Sequence, residues 1–509
     1  MTKTTTSRLL AEPQGRTIAA VWRHKTLACL TAAGLVGCTL GPDYKRPEVP
    51  LATAWRVELL DAADVANTAW WHAFGDTELD SLIETALAAN KDLLLATFRI
   101  EQFDARLQIS RAALYPQVGY AGAASRERRS QERPNGLPPG TSPIVNNYEP
   151  GVNFSWELDL WGKVQRSNEA ARADLLSTQE GRRAVMLTVV SSVATSYMQL
   201  LELDQQLGIA QQALANRRET LALVDTRYRG GSATRLNVEQ ARAELESTAA
   251  AVPPIERDIA TVENALSGLL GRNAGSIQRR QLNALSLPLM PQGVPADILT
   301  RRPDVMAAEQ NLVAANARIG VAKTEYFPTL SLTAALGFGA DTPRWLWAET
   351  ARTGSFGAGL VGPIFSGGRI EGDIRQAEAI QKQMVVLYQL AVQNALKEVD
   401  DALVTREKSG AREATLGRQV NALQEVTKLA RLRYEGGQSN FLEVLNADLV
   451  LYSAQGRQVQ SRGATLMALI SVYKAMGGGW MLEQEKLRTP ETPAANVQAR
   501  VATEVEAPK

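Results

Sequence analysis

Cysteine and histidine are nearly missing from this 509-residue chain, which has two of each. So few donors leave no Cys/His zinc site, no disulfide framework and no histidine-centred catalytic triad to expect. A surplus of charge of one sign is also missing. Fifty-five basic residues stand against 54 acidic ones, a net of +1, so a large basic surface for nucleic acid is excluded. Aromatics make up 6% and hydrophobics 45%, with a mean hydropathy of -0.17. That is globular composition, neither polytopic-membrane nor disordered. After the first 40 residues no run of ~18 apolar residues is evident, so no helical membrane span is expected. Any crossing must then be made by strands in a closed barrel. Length alone allows about three domains of ~150 residues, a prior that internal repeats override.

The N-terminus reads as an address. Arg8, Arg16, Arg23 and Lys25, with one acid, Glu12, precede the uncharged run Thr26 to Val36. A bilayer needs ~20 apolar residues, so this run fits a signal-peptide core and not a span. It ends in Leu35-Val36-Gly37-Cys38, which resembles a bacterial lipobox. The resemblance implies cleavage before Cys38, with diacylglycerol and an N-palmitoyl chain on that cysteine and no other cofactor. Thr39, in place of Asp, implies sorting to the outer membrane. The chain left after cleavage carries a net charge of -3, and its one histidine is His72. His72 stands beside Trp70, Trp71 and Phe74 and is expected in an aromatic packing cluster. No metal site and no catalytic residue is expected.

The chain repeats itself. Arg227-Tyr228-Arg229-Gly230-Gly231 returns as Arg433-Tyr434-Glu435-Gly436-Gly437, and eight of the 19 positions from 227 to 245 are identical at that offset. Ala105-Arg106 and Pro116 return as Ala317-Arg318 and Pro328. Each copy opens with a helix, Lys91 to Leu114 or Pro303 to Tyr326, with proline tolerated at a helix start. Two alternating segments follow in each copy: Val118 to Arg126 with Val152 to Leu160, and Leu330 to Phe338 with Phe356 to Phe365. Val152 to Leu160 and Leu330 to Phe338 alternate with a period of two, apolar on one face, while Val118 to Arg126 and Phe356 to Phe365 are weaker, Gly-rich versions; a half-buried sheet packed on helices is the alternative. Such strands have the length of lipid-facing barrel strands, yet four cannot close a barrel, since single-chain barrels start at about 8. Spanning a membrane therefore requires several chains to share one barrel. Glu127 to Asn147 and Gly339 to Gly354 read as loops.

Lys163 to Arg229 and Arg369 to Glu435 are each 67 residues without proline. As helices they would be roughly 100 Å long, and such helices need partners along their length. The alternative is a break near Gly208 and Gly410. Gly-Gly then terminates each helix and the chain reverses. Thr234 and Asn440 are N-cap types for the returning helices, and Asn440 with Glu443 has capping-box spacing. The first return is expected to kink at Pro253-Pro254 and run to Leu270, the second to run to Met476. Asp400-Asp401 reads as a solvated or lumen-facing pair.

Together these parts resemble the TolC family of outer-membrane efflux factors, most closely its OprM/NodT-like lipoprotein branch. Local strings agree: Trp70-Trp71-His72-Ala73-Phe74-Gly75-Asp76, Arg301-Arg302-Pro303-Asp304-Val305, Ala317-Arg318-Ile319-Gly320 and Tyr326-Phe327-Pro328-Thr329-Leu330. The resemblance implies a mainly α fold with a small β part. Duplicated long-helix hairpins would form a trans-periplasmic α-barrel, and four strands per chain a trimeric twelve-stranded outer-membrane barrel. It divides the chain into a signal peptide (1–37), an anchor and equatorial segment (38–90), a first repeat (91–297), a second repeat (298–480) and a disordered tail (481–509). It implies passive conduction of small toxic compounds, supplied by an RND-type inner-membrane transporter and a periplasmic membrane-fusion adaptor. Metal cations, secreted protein and signal oligosaccharides stay open as cargo. A lipid-anchored periplasmic coiled-coil scaffold without a pore is the competing class. The adaptor would meet the tips at Gly230, Gly231, Gly436 and Gly437. The periplasmic gate would involve Glu443, Asn446, Tyr434, Ser439 and, in the first repeat, Asn237. Glu443 can serve as a gate carboxylate, a helix cap, or both.

Overall fold

A computed structural model describes residues 39–52, 54–57, 69–130, 142–291, 294–477 and 480–481. Cys38, the signal segment before it and the tail beyond Met481 lie outside the described residues. The structure is mainly helical with one four-stranded sheet. Its first half contains α1 (Thr77–Ala89), α2 (Lys91–Ala112), β1 (Gln117–Arg128), β2 (Ile144–Leu158), α3 (Lys163–Arg229), α4 (Arg235–Ala250) and α5 (Val252–Leu269). Its second half contains α6 (Pro303–Thr324), β3 (Thr329–Phe338), β4 (Arg352–Val361), α7 (Arg369–Glu435) and α8 (Phe441–Ala475). Contacts divide the chain into two compact units. One holds residues 39–45, 104–173 and 312–383; the other holds the described parts of 46–103, 174–311 and 384–481.

The first unit is organised by the sheet, antiparallel throughout in the order β1-β2-β3-β4. Val118 lies opposite Phe154, Phe154 opposite Ala334, and Ala334 opposite Phe356. One row further, Tyr120, Val152 and Leu336 align. Because side chains alternate, this register places the apolar residues of all four strands on one face. That face stays open: Tyr120 is 92% exposed and Phe356 79%. Glu157, Ser155, Asn153, Ser331 and Thr333 stand on the opposite face. β1 and β4 are edges, each with one side of its backbone unpaired among the described residues.

Strand limits differ from the expectation in several places: β4 starts at Arg352, inside the segment read as loop, and β2 ends at Leu158 and not Leu160. β4 ends at Val361 rather than reaching Phe365. Pro363 has no N–H to give the ladder, and Ile364 and Phe365 sit beyond it in solvent. β1 and β2 extend into the segment read as loop, with Glu127 and Arg128 opposite Val145 and Ile144. Charge and polarity there hid an extended backbone that the neighbouring strand stabilises.

In the same unit, residues 39–43 are tied down without regular structure. The buried Arg166 guanidinium donates to the Leu40 carbonyl at 3.1 Å and to Asp43 and Glu169 at 2.7 Å each. Asn316 donates to the Pro42 carbonyl at 2.7 Å. Gly41 has φ of +102°, and a Cβ there would fall 2.5 Å from the Cα of Gly320, so glycine is required on both counts.

The two 67-residue segments are single uninterrupted helices, passing straight through Gly208 and Gly410. A lone helical glycine costs only about 1 kcal/mol, too little to break a helix packed along one side. Within α3 one 18-residue window is apolar enough by composition to cross a bilayer, contrary to the expectation that none exists; 61% of it is buried. It supplies Val189, Val190, Val193, Tyr197, Leu200 and Leu201 to the core of the second unit, so its apolarity is explained by packing.

That core also contains the tryptophan string. Trp70 stacks on Tyr473 at 5.1 Å and Trp71 meets Trp480 edge-on at 4.9 Å. Asp76, fully buried, caps α1 by accepting from the Glu78 N–H and accepts the Tyr197 hydroxyl at 2.7 Å. Met481, the first residue of the segment expected to be a disordered tail, is buried here as well. His72 is half-exposed: its ring is tilted 5.5 Å from Trp71 and its Nδ1 lies 2.9 Å from Asp80. It therefore edges the aromatic cluster instead of filling it. Asp400 accepts the Arg56 backbone N–H at 3.1 Å, and Asp401 lies 3.5 Å from Lys397.

Candidate functional site

The site is built where the long helices turn back, within the second unit. Both turns close the same way. Gly231 donates to the Tyr228 carbonyl and Ser232 to Arg227; Gly437 donates to Tyr434 and Gln438 to Arg433. This pair of bonds is the Schellman closure, which satisfies the last helical carbonyls. Only the second glycine of each pair is left-handed, with φ of +74° at Gly231 and +70° at Gly437. Gly230 and Gly436 have ordinary φ, and a Cβ on either would make only normal contacts. All four glycines are exposed.

The returning helices start differently. Thr234 caps α4, and the Asn237 side chain returns a bond to the Thr234 N–H at 3.1 Å, a complete capping box. Asn440 caps α8 by accepting from the Glu443 N–H at 3.1 Å. The expected reciprocal bond from the Glu443 carboxylate is not made. Instead that carboxylate lies 3.3 Å from Arg433, on the last turn of α7, and is about 40% exposed. Asn already satisfies the N3 donor, and the cationic helix-end arginine competes successfully for the anion.

The two hairpins pack on each other. Val224, Val238 and Ala241 of the first form one cluster with Phe441 and Leu445 of the second. Tyr434 borders it, 5.6 Å from the Phe441 ring, with the Arg227 guanidinium 4.7 Å above its own ring. Ser439 is half-buried and its hydroxyl has no partner among the described residues. Asn446, one helical turn after Glu443 and on the same face, is exposed. Tyr434, Ser439, Glu443 and Asn446 thus all belong to the second tip, while Asn237 is engaged in the cap of the first.

Sequence reading missed the arginines. Arg433 and Arg227 are equivalents in the repeat, yet one meets Glu443 and the other Tyr434. Their identity at the repeat offset was the available signal. Deeper in the unit, Arg217 and Arg431 share Asp448 at 3.5 and 3.1 Å, beside a cleft of about 740 Å³. Among the described residues no three His, Cys, Asp or Glu side chains converge as a metal site requires.

The family model described as outer membrane efflux protein matches residues 82–272 and 294–478. The chain belongs to that family. It is an outer-membrane efflux channel and not an enzyme. The channel is 34% identical over 462 residues to the cation efflux system protein CusC of a uropathogenic Escherichia coli, covering 90% of this chain and 99% of the relative. It is also 34% identical over 485 residues to the toluene efflux pump outer membrane protein TtgC of Pseudomonas putida, covering 93% and 98%. The crystal structure of the open state of the Neisseria gonorrhoeae MtrE outer membrane channel is similar with a TM-score of 0.78 and 29% identity, over 87% of this chain and 99% of that one.

Proposed function

We propose that this efflux channel is the exit duct of a tripartite system. Three copies share one twelve-stranded barrel, and their paired long hairpins enclose a periplasmic tunnel. Transport through it is passive; an RND-type inner-membrane transporter supplies the energy, and a membrane-fusion adaptor docks at Gly230, Gly231, Gly436 and Gly437. In this reading residues 91–297 and 298–480 are two copies of one unit, and diacylglycerol and palmitate on Cys38 anchor the chain. The observation that carries the proposal is the open sheet, with one exposed apolar face and two unpaired edges. Unpaired backbone is not tolerated in hydrocarbon, so edge must meet edge of another copy. The scaffold alternative leaves this face without a purpose. The intact mass of the detergent-solubilised oligomer tests the stoichiometry: three chains are expected, and a monomer soluble without detergent would reject the barrel. Cys38→Ser should abolish acyl labelling; persistent labelling would reject the anchor.

Glu443 is the gate carboxylate in this proposal. Three copies facing one another would form an anionic constriction, and the neutral Asn446 and Ser439 keep its charge low. The cargo proposed is small toxic organic compounds. A second reading, metal cations, is supported by the carboxylate at the constriction and by the likeness to a cation efflux protein. Loss of the channel should sensitise cells to solvents and dyes under the first reading, and to metal salts alone under the second.

A further inference from the structure

The apolar face of the sheet carries charge at one end only. The strands join helices at Gln117, Leu158, Thr329 and Val361, and there the outward positions are Val118, Trp156, Leu158, Leu330 and Leu360. At the opposite, loop-bearing end the outward positions include Arg126 and Arg128 on β1 and Arg352 on β4, all exposed. Arg126 is eight residues from Val118, and Arg352 eight from Leu360. At a rise of ~3.4 Å each interval is about 27 Å along the strand, close to the ~25 Å apolar band of an outer-membrane barrel. The arginines therefore crown the band at its far rim. Glu349 lies 3.8 Å from Arg352, while Arg126 and Arg128 have no acidic partner among the described residues.

A notch opens beside Arg352. Pro150 cannot donate to β3, so the ladder between β2 and β3 lapses after Gly151–Gly337 and resumes at Tyr148–Ala340. The resulting cavity of about 460 Å³ is lined by Pro150, Val152, Leu336, Phe338, Trp347 and Arg352. Trp347 packs edge-on against Phe338 at 5.1 Å and is 72% exposed, an aromatic at the depth where membrane proteins meet headgroups. Arg344 lies over Trp345 at 5.1 Å in the same loop.

We propose that this rim is a binding site for a phosphorylated, multiply acylated glycolipid of the outer leaflet. An acyl chain occupies the Pro150–Trp347 notch, and Arg126, Arg128 and Arg352 hold the phosphates. Guanidinium pairs with phosphate through two parallel bonds, and basic residues at a bilayer surface bind anionic headgroups. The inference rests on the barrel reading above, which directs the loop end to the cell exterior.

The test uses the full-length purified oligomer and bis-phosphorylated lipid A as probe, with retained lipid counted by native mass spectrometry. Dephosphorylated lipid A and a phosphatidylglycerol serve as comparisons. Lipid A should be retained and its dephosphorylated form lost. The variant with Arg126→Gln, Arg128→Gln and Arg352→Gln should bind lipid A on the order of tenfold more weakly or worse, with single-channel conductance retained. Equal retention of the dephosphorylated lipid, undiminished binding by the variant, or equal retention of phosphatidylglycerol would each overturn the proposal. The lipid comparison on the unaltered protein stands even if the variant does not assemble. Conductance without arginine-dependent binding removes this inference alone; absence of conductance from the unaltered oligomer removes the barrel reading.

Discussion

The two helical tips share a turn and differ in what the third residue of the returning helix does with its side chain. Both end a 67-residue helix with a Schellman closure, and both cap the return with a side chain that accepts the N3 backbone N–H. In the first tip Asn237 completes the box and is consumed by it. In the second, Glu443 leaves its cap to Asn440 and spends its charge on Arg433. The two tips thus share one backbone solution, and the second leaves its carboxylate outside the cap. The first tip is self-contained; the second presents a half-exposed anion that small changes can redirect.

The largest expected effect follows from removing that anion. Glu443→Gln should raise or alter single-channel conductance and weaken block by multivalent cations several-fold, whereas Asn237→Ala should leave block unchanged. Equal behaviour of the two variants would reduce Glu443 to part of a turn. Next in size are the left-handed glycines. Gly231→Ala and Gly437→Ala should each destabilise their tip by about 1–2 kcal/mol, while Gly230→Ala and Gly436→Ala should stay within about 0.5 kcal/mol. Limited proteolysis at the tips reads this; equal sensitivity of both glycines in a pair would contradict the turn geometry.

Much of this was legible beforehand because it is local. Absence of proline, Gly-Gly stops and Thr or Asn caps act within a few residues, so the long helices and their ends could be read directly. The capping box at Asn440 could not, because its outcome depended on Arg433 across the turn. The break at Ala251 is local, and only its form differs from the expected kink. Pro253 and Pro254 occupy the first turn of α5, where missing N–H groups cost nothing, so the return divides into two helices instead of kinking as one. Extended backbone in β1, β2 and the start of β4 is imposed by neighbouring strands, and Arg352 or Glu127 carries no local signal for it. The hydrogen bond of Arg166 to the Leu40 carbonyl and its ion pair with Asp43 span more than 120 positions, beyond any periodicity.

Smaller effects sharpen the contrast between tips. Thr234→Ala removes a cap that Asn237 completes and should cost about 1 kcal/mol. Arg433→Gln breaks an exposed pair and should cost under about 1 kcal/mol, yet it should shift cation block as Thr234→Ala does not. Thermal melting together with conductance separates the two.

A further effect, set by pH, lies away from both tips, at Glu202 on α3. Burial raises its carboxyl from an ordinary 4.5 to about 7. The folded state then holds the proton more firmly than the unfolded chain. Its contribution to stability is fully present below about 4.5 and is lost as pH rises through about 7. Glu202→Gln should therefore melt higher than the unaltered protein at pH 8, with the difference shrinking on acidification. A pH-independent difference would assign the effect to packing alone.

Closure of one pore by sheets from separate copies is open to direct measurement. Planar-bilayer recording from the purified, mass-defined oligomer measures this. Discrete, long-lived conductance steps from three-chain particles are expected. Folded three-chain particles that insert and never conduct, or conductance from isolated single chains, would contradict such closure.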